Sequence, residues 1–308
     1  MRSVKGGDMN GNAVGASMLG FDWAQAWREL DAERANPDDP AAWDARAASF
    51  PTKHGSQAGY VGSFLELAGI KPGETVLDMG CGTGSLATPL ALAGNAVIAC
   101  DFSSGMMAEM LKDQAALGIS NVRAIQMSWQ DDWDEYGVGS GCADVAIASR
   151  SIATADLEES LLKLTRAARR RVCITMPRSA TPRIDDELLT LVGYSARRPP
   201  DFVYAFNILA THGIKPEVRY IDNTREETFD SREDAIELLW GLVEQCSDPA
   251  AREIDPGFAR KRIGAWLDDG NLVENPAAGE AGRRGVPQKR LKLARPRNVA
   301  WAFLAWDL

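Results

Sequence analysis

Histidine and paired cysteines are scarce in this chain. Its 308 residues include two histidines and five cysteines, and no two cysteines form a Cys-x-x-Cys pair. The sequence therefore predicts no zinc site and no redox dithiol, because both need clustered thiolates or imidazoles. Lone cysteines fit a reducing compartment, and the first residues lack the apolar stretch of a secretion signal. We expect a cytoplasmic protein without a bound metal.

Long apolar runs and positive net charge are missing too. No apolar run approaches the roughly 20 residues needed to span a bilayer, so no membrane partner is expected. Lysine and arginine number 34 against 43 aspartates and glutamates, which gives a net charge of -9. Neutralising phosphates needs clustered basic residues, so a nucleic acid is not the expected partner. Two basic clusters, 166–171 and 283–297, are predicted to be solvated faces.

A glycine-rich stretch follows a short apolar run early in the chain. Val76-Leu77 ends a candidate buried strand, Gly80 to Gly84 form a tight turn, and Leu86 to Ala93 are compatible with a helix. Glycine has no side chain and tolerates positive φ, so such a turn lets a ligand approach the backbone closely. The pattern predicts the first crossover of a doubly wound α/β sheet.

The spacing of the glycines distinguishes two kinds of ligand. A dinucleotide loop has Gly-x-Gly-x-x-Gly or Ala, but Ser85 stands at the sixth position and Gly84 comes one residue early. With Asp78 at the strand end, the string Asp-x-Gly-x-Gly-x-Gly resembles motif I of class I S-adenosylmethionine (SAM) methyltransferases. In that family the turn passes under the methionine part of SAM, and the acidic residue faces its ammonium group. The alternative is a turn that binds no ligand.

The second predicted strand, Ala96 to Cys100, ends at Asp101. An acidic residue at this place holds a ribose diol in Rossmann-like sites, because a carboxylate accepts hydrogen bonds from both hydroxyls. The string Asp-x-Ser-x-x-Met from Asp101 to Met106 also matches the pattern of the methyltransferases, in which the methionine packs near the adenine. The alternative role for Asp101 is that of a helix N-cap.

The adenine end departs from the family pattern. An acidic residue followed by a small one is usual after the third strand, but this chain has Ser128-Trp129 there. Ser128 is expected to hydrogen-bond the adenine and Trp129 to cover its face, with Asp131 or Asp132 as a substitute carboxylate. A buried, purely structural Trp129 is the alternative.

The end of the fourth strand lies beside the transferred methyl group in class I enzymes. DNA and RNA amino-methyltransferases have Asn/Asp-Pro-Pro-Tyr/Phe here to hold a flipped base, whereas this chain has Ala148-Ser149-Arg150-Ser151. A nucleobase acceptor is therefore not expected. Arg150 is predicted to bind an acidic substrate or to pair with a surface carboxylate.

The resemblance implies an α/β fold, a Rossmann-like seven-stranded sheet with helices on both faces and a last strand antiparallel to its neighbour. We expect a disordered tail over 1–20 and an N-terminal helical cover over 21–59, in which Trp23, Trp27 and Leu30 share one face. The SAM-binding core is assigned to 60–222. Residues 223–297 connect this core to the last strand (298–308). They are predicted to form a helical insertion, because a connection that long is unusual without structure of its own.

SAM chemistry constrains the catalytic residues only loosely. In-line displacement on an activated methyl gains most from alignment, and a general base is dispensable for some acceptors. His54 follows the cover and is a candidate base, whereas His212 sits at a helix end and is predicted to be a C-cap. Tyr204 and Asn207 lie three residues apart on one predicted helix, so they are candidates to face the acceptor.

The sequence thus predicts a SAM-dependent methyltransferase that converts SAM to S-adenosylhomocysteine and acts on a small-molecule acceptor as a monomer or homodimer. The alternatives are a protein methyltransferase and a SAM-binding regulatory module without turnover. The expected cofactor contacts, among which Tyr60 would reach the SAM carboxylate, are Tyr60, Asp78, Gly80, Cys81, Gly82, Gly84, Asp101, Phe102, Met106, Ser128, Trp129 and Ser149. The candidate catalytic residues are His54, Arg150, Tyr204 and Asn207.

Overall fold

The fold was analysed in a computed structural model of the chain. It describes residues 20–34, 40–47, 58–179, 184, 186–196, 198–244, 246, 248–282 and 286–308. His54 and nearly all of the predicted tail lie outside these ranges, so both predictions stay untested.

Seven strands form the central sheet, in the order β3-β2-β1-β4-β5-β10-β6. They are β1 (Thr75–Met79), β2 (Ala96–Asp101), β3 (Val122–Gln126), β4 (Ala143–Ser149), β5 (Ala168–Pro177), β6 (Glu217–Arg225) and β10 (Arg297–Asp307). Strands β1 to β5 pair in parallel, whereas β10 runs antiparallel between β5 and β6. The predicted seven-stranded sheet and its antiparallel last strand are confirmed.

Helices cover both faces of this sheet, as predicted. The ten helices that the described ranges contain are α1 (Trp23–Ala32), α2 (Pro40–Ala47), α3 (Ala58–Ala68), α4 (Ala87–Leu92), α5 (Ser104–Ala116), α6 (Leu157–Ala167), α7 (Asp186–Leu191), α8 (Asp201–Thr211), α9 (Arg232–Glu244) and α10 (Pro256–Trp266). Helices α1, α6 and α8 contribute to one apolar cluster, and α3, α4 and α5 to another. Parallel strands buried on both sides need such double cover, which explains their continuous Val, Ile and Ala runs.

The predicted apolar face of the N-terminal cover is confirmed in α1. Trp27 and Leu30 are buried, and Trp23 packs against the same cluster at its edge. The indole N–H of Trp27 donates to the Thr154 carbonyl at 2.7 Å. This bond fixes the cover to the segment that follows β4, because a buried donor left unpaired would cost its full desolvation.

A third apolar cluster lies apart from the sheet and forms what we call the cap, the described residues within 184–194 and 227–293. It combines α7, α9 and α10 with a small antiparallel sheet of β7 (Thr228–Phe229), β9 (Leu291–Leu293) and β8 (Leu272–Glu274), in that order. The prediction of a helical insertion missed these short strands. It also missed that α7, which precedes β6 in the chain, packs into the same cluster.

Two arginines of the basic clusters correct the prediction of solvated faces. Arg171 lies in β5 and pairs with Glu217 and Asp307, and its side chain is only 13% exposed. Arg297 begins β10, pairs with Glu227 at 2.8 Å and is 3% exposed. These charges join strands and loops within the protein, so they contribute little to an electropositive surface.

Candidate active site

The glycine turn after β1 has a left-handed backbone at all three glycines, with φ of +75° at Gly80, +54° at Gly82 and +80° at Gly84. A Cβ at Gly80 would lie 2.3 Å from the Cβ of Ser151, and one at Gly84 would lie 2.7 Å from the Cγ of Met110. A Cβ at Gly82 would meet nothing within 4 Å. The outer glycines therefore serve packing, whereas Gly82 borders open space that a ligand could enter.

The turn is fastened to the end of β2. The amides of Gly80 and Cys81 both donate to the Cys100 carbonyl, at 2.7 and 2.9 Å. The Gly82 amide donates to Asp101 Oδ2 at 2.7 Å, and the Ser103 amide to Oδ1 at 2.9 Å. Asp101 thus bridges the turn and the entry to α5, although a carboxylate with about four acceptor sites has further capacity.

Ser103, not Asp101, caps helix α5. Its hydroxyl accepts the Met106 amide at 3.1 Å, which is the N-cap geometry. The alternative role of Asp101 as the N-cap is therefore wrong. Phe102 is half-buried between the two, and its carbonyl accepts a bond from Gln126 at 3.3 Å.

Asp78 is the most perturbed acid at this site. Its side chain is 2% exposed, and Oδ2 makes no hydrogen bond to any residue that the structure describes. Burial, reinforced by the nearby charge of Asp101, raises the pKa of Asp78 to about 7, against a bond from the Ala87 amide that lowers it. An unpartnered buried carboxylate oxygen at the strand end before this turn is suited to a cation, because a cation would repay the lost hydration.

Strand ends β4 and β5 continue the site on the other side of the turn. The Tyr60 hydroxyl, on α3, lies 2.7 Å from both Ser149 Oγ and Thr175 Oγ1. Burial raises the pKa of Tyr60, although the charge of Arg150 opposes this shift. The Ser151 hydroxyl donates to the Met79 carbonyl at 2.7 Å, so β4 and the turn are joined directly.

Comparison with known proteins identifies the family of this arrangement. A family model described as "Methyltransferase domain" matches residues 70–193, which include the turn and strands β1 to β5. An uncharacterised Haemophilus influenzae protein is 32% identical over 228 residues, 72% of this chain and 82% of that protein. The chain belongs to the class I S-adenosylmethionine-dependent methyltransferase family.

Two further similarities accompany this methyltransferase assignment. A demethylmenaquinone methyltransferase from Beutenbergia cavernae is 36% identical over 109 residues, which are 35% of this chain and 43% of that protein. A solved SAM-dependent methyltransferase from Aquifex aeolicus superposes with a TM-score of 0.43 at 20% identity, over 59% of this chain and 92% of that one.

The predicted adenine end is formed by packed side chains. Trp129 is 8% exposed, belongs to the apolar cluster of α1 and stacks obliquely on Trp133, with ring centroids 5.5 Å apart. The Ser128 amide donates to Asp131 Oδ2 at 2.8 Å, and Asp132 caps the short helix that begins at Trp133. These contacts favour the structural alternative for Trp129, whereas adenine contacts of Ser128 and Trp129 stay predictions.

The N-terminal cover reaches the cofactor side through Asp44, which the sequence did not single out. Its Oδ1 accepts bonds from the Ser103 hydroxyl at 2.5 Å and the Gly105 amide at 2.9 Å. The bond from Ser103, more than that from Gly105, lowers the pKa of Asp44. The only available signal was an aspartate on a helix of the predicted cover, together with the first amides of α5, which need acceptors.

The catalytic candidates are scattered by the fold. Arg150 lies beside the turn, as its place after β4 requires. Tyr204 is 5% exposed and packs edge-on against Trp23 and Trp27, with centroids 5.7 Å from each. Asn207 donates to the Val203 carbonyl of its own helix at 2.7 Å. The roles of Tyr204 and Asn207 in catalysis stay predictions, and neither contact links them to the cofactor turn.

His212 follows α8 at its C-cap, in agreement with the predicted position. Its imidazole lies 2.8 Å from Glu158 Oε1 on α6. The side chain therefore joins two helices on the face of the sheet, and this contact gives it a structural role.

A cavity of about 300 Å³ opens where the cover, the end of β5, the cap and the start of α8 meet. Leu30 and Arg34 line it from the cover, Arg178 from the residue after β5, Tyr194 from the cap and Asp201 from α8. Arg34 and Asp201 pair at 2.5 Å. The cavity lies at the carboxyl edge of the sheet, which is where ligands bind in open α/β folds.

Two absences hold for the part of the chain that the structure describes. No group of three His, Cys, Asp or Glu side chains is placed to hold a metal ion. None of the helices has the length and apolar character of a membrane-spanning segment. All five cysteines are free thiols.

Proposed function

We propose that the protein is a SAM-dependent methyltransferase that acts on a small-molecule acceptor. The observation that carries this proposal is Asp78, which has a buried and unpartnered carboxylate oxygen at the end of the strand that leads into the turn of the open Gly82. SAM carries an activated methyl group on a sulfonium. It also carries an ammonium group, which would donate a hydrogen bond to this oxygen. Asp101 would hold the ribose hydroxyls, and the turn would pass under the methionine part.

The cavity beside Arg178 and Tyr194 is the site that we assign to the acceptor. Its volume of about 300 Å³ lies at the small end of ligand pockets, which run from about 300 to 1,000 Å³. Four separate parts of the chain line it, so a compact molecule bound there would be partly shielded from water. A relative named for demethylmenaquinone supports a small-molecule acceptor, although it matches only 35% of this chain.

The protein's part in the reaction is alignment. Holding the acceptor atom in line with the methyl–sulfur bond supplies about 7–11 kcal/mol of barrier reduction. The cover, tied to the start of α5 by Asp44, and the cap would exclude water from that approach. His54 stays a candidate base outside the described residues. The five free thiols support a reducing, cytoplasmic setting.

Titration calorimetry with SAM and with S-adenosylhomocysteine tests the cofactor assignment. Wild-type protein should bind both, and Asp101→Ala should bind them at least tenfold more weakly, because it loses charge-assisted acceptors. Lys112→Ala, an exposed charge on α5, is the matched control and should bind like wild type. Absence of binding at millimolar concentration would overturn the proposal.

Turnover is tested separately, with tritiated SAM and a panel of small acceptors. Methyl transfer to one of them supports the enzyme. Transfer only to protein, or tight SAM binding without any transfer, would favour the protein methyltransferase or the regulatory module instead.

A further inference from the structure

Arg150 has a backbone that an arginine rarely adopts. Its φ is +64°, and among the residues that the structure describes no other non-glycine residue has a left-handed φ. The strain is imposed from both sides. The Arg150 amide donates to Thr175 Oγ1 at 3.1 Å, and the next residue, Ser151, is bonded to the Met79 carbonyl. Strained backbones of this kind concentrate at functional sites.

The side chain of Arg150 rests on an aromatic shelf, which we define as the rings of Tyr60 and Trp301. Its guanidinium carbon lies 4.4 Å from the Tyr60 centroid and 5.8 Å from that of Trp301. Ser149 and Thr175 hold the Tyr60 hydroxyl, so the shelf is fixed. Stacking uses the face of a guanidinium, whereas carboxylates bind at its edge, so a stacked arginine is pre-organised for an anion.

The acid on β1, the strand next to β4, is Asp78. Asp78 pairs in register with Ile147 of β4, three residues before Arg150. The positive charge of Arg150 acts on Asp78 and on Tyr60, lowering the pKa of each against the effect of burial. The ends of β1 and β4 therefore present one carboxylate and one guanidinium within electrostatic reach of each other.

A carboxylate and a guanidinium at the ends of these two neighbouring strands suit a zwitterionic α-amino acid, whose ammonium and carboxylate are joined by one carbon. We propose that Arg150 binds the carboxylate of the amino-acid end of SAM, while Asp78 accepts its ammonium group. Tyr60 then supports Arg150 from below and does not itself reach the cofactor. This inference rests on the proposed function, since it needs SAM in the site.

Three ligands separate the charges of the cofactor. S-adenosylhomocysteine carries both the ammonium and the carboxylate, its decarboxylated analogue keeps only the ammonium, and methylthioadenosine has neither. Calorimetric titration of each into wild type and Arg150→Gln isolates the carboxylate. We expect Arg150→Gln to weaken S-adenosylhomocysteine by about 10- to 100-fold, the effect of a charged hydrogen bond, and the other two ligands by less than twofold.

Two further variants sharpen the result. Arg150→Lys keeps the charge but not the planar edge, so it should lie between wild type and Arg150→Gln. Arg290→Gln removes an exposed arginine just before strand β9 of the cap, paired with Glu274, and should bind all three ligands like wild type. Circular dichroism melts show whether each variant is folded.

The outcomes are distinguishable. Equal weakening of all three ligands by Arg150→Gln, or unchanged binding of S-adenosylhomocysteine, overturns the role of Arg150 while SAM binding stands. If Arg150→Gln binds poorly because it is misfolded, Arg150→Lys decides. A preference of Arg150→Lys for S-adenosylhomocysteine over the decarboxylated analogue supports the role of Arg150, and loss of that preference refutes it. Failure of all ligands to bind the wild-type protein overturns the proposed function instead.

Discussion

The proposed cofactor side and the proposed acceptor side of the sheet edge are built in different ways. Asp78, the glycine turn and Asp101 come from one run of 24 residues (78–101), and their geometry is held mainly by backbone bonds. The cavity that we assign to the acceptor draws on the cover, the end of β5, the cap and α8, which are far apart in sequence. The first is a local arrangement that a short motif specifies, and the second exists only when distant segments have packed.

The largest expected effect concerns the buried acid of the cofactor side. With a folded pKa of about 7 against 3.8 for the ordinary group, Asp78 keeps a proton in the folded protein that the unfolded chain releases between pH 4 and 7. Its contribution to stability is complete below pH 4 and is lost as pH rises to 7. Relative to Asp78→Asn, the unfolding free energy of wild type should fall by about 1.4 kcal/mol per pH unit in this window.

Urea unfolding of both proteins at a series of pH values measures that difference. Parallel stability curves for wild type and Asp78→Asn would show that the Asp78 carboxyl is ionised well below pH 7. The cofactor side would then contain an ordinary carboxylate at Asp78, and a raised pKa would no longer distinguish it from the other side.

The second effect tests whether the outer glycines serve packing. Gly80→Ala would place a Cβ 2.3 Å from the Ser151 Cβ at a φ of +75°. Left-handed strain and overpacking together should lower the unfolding free energy by about 3 kcal/mol. Gly73→Ala is the control, because its φ is +81° with no atom within 4 Å of the added Cβ; it should cost about 1 kcal/mol. Similar losses would mean that Ser151 moves aside.

The same contrast explains what the sequence could predict. The positions of the strands along the chain and the glycine turn followed from local patterns, since each depends on residues near one another in the chain, whereas their assembly into one sheet was implied by the family resemblance. The three-stranded sheet of the cap was missed because β7 has two residues and β8 and β9 have three, too few for a period to show. The position of α7 in the cap was missed because only tertiary packing joins it to residues after β6.

The contacts of individual side chains depend on tertiary packing in the same way. Tyr60 and Trp129 were assigned to the cofactor by position, which stays a prediction, whereas the partners that Tyr60 has in the fold lie 89 and 115 residues away. Trp129 is packed on Trp133 by a turn that Asp131 stabilises. A motif locates a residue along the chain, whereas the direction of its side chain depends on neighbours that the motif does not include.

The third effect lies on the acceptor side. Arg34→Gln would remove the partner of Asp201, a pair at 2.5 Å in which both side chains are less than one-fifth exposed. Burial already raises the pKa of Asp201, and Arg34 opposes this shift. We expect a loss of about 2 kcal/mol in unfolding free energy, less than for a fully buried pair, with unchanged affinity for S-adenosylhomocysteine.

Arg198→Gln is the matched control for that measurement. Its partner Glu33 is about half exposed, so the loss should be below about 1 kcal/mol. Weaker cofactor binding by Arg34→Gln would show that the two sides are coupled, and the separation argued above would be wrong.

The smallest effect distinguishes a supporting Tyr60 from one that touches the cofactor. Tyr60→Phe removes a hydroxyl that bonds Ser149 and Thr175, which should cost about 1 kcal/mol of unfolding free energy. The ring that supports Arg150 remains, so affinity for S-adenosylhomocysteine should change less than threefold. If the Tyr60 hydroxyl itself binds the cofactor carboxylate, Tyr60→Phe would bind S-adenosylhomocysteine at least tenfold more weakly but methylthioadenosine as before. The purely supporting role of Tyr60 would then be wrong.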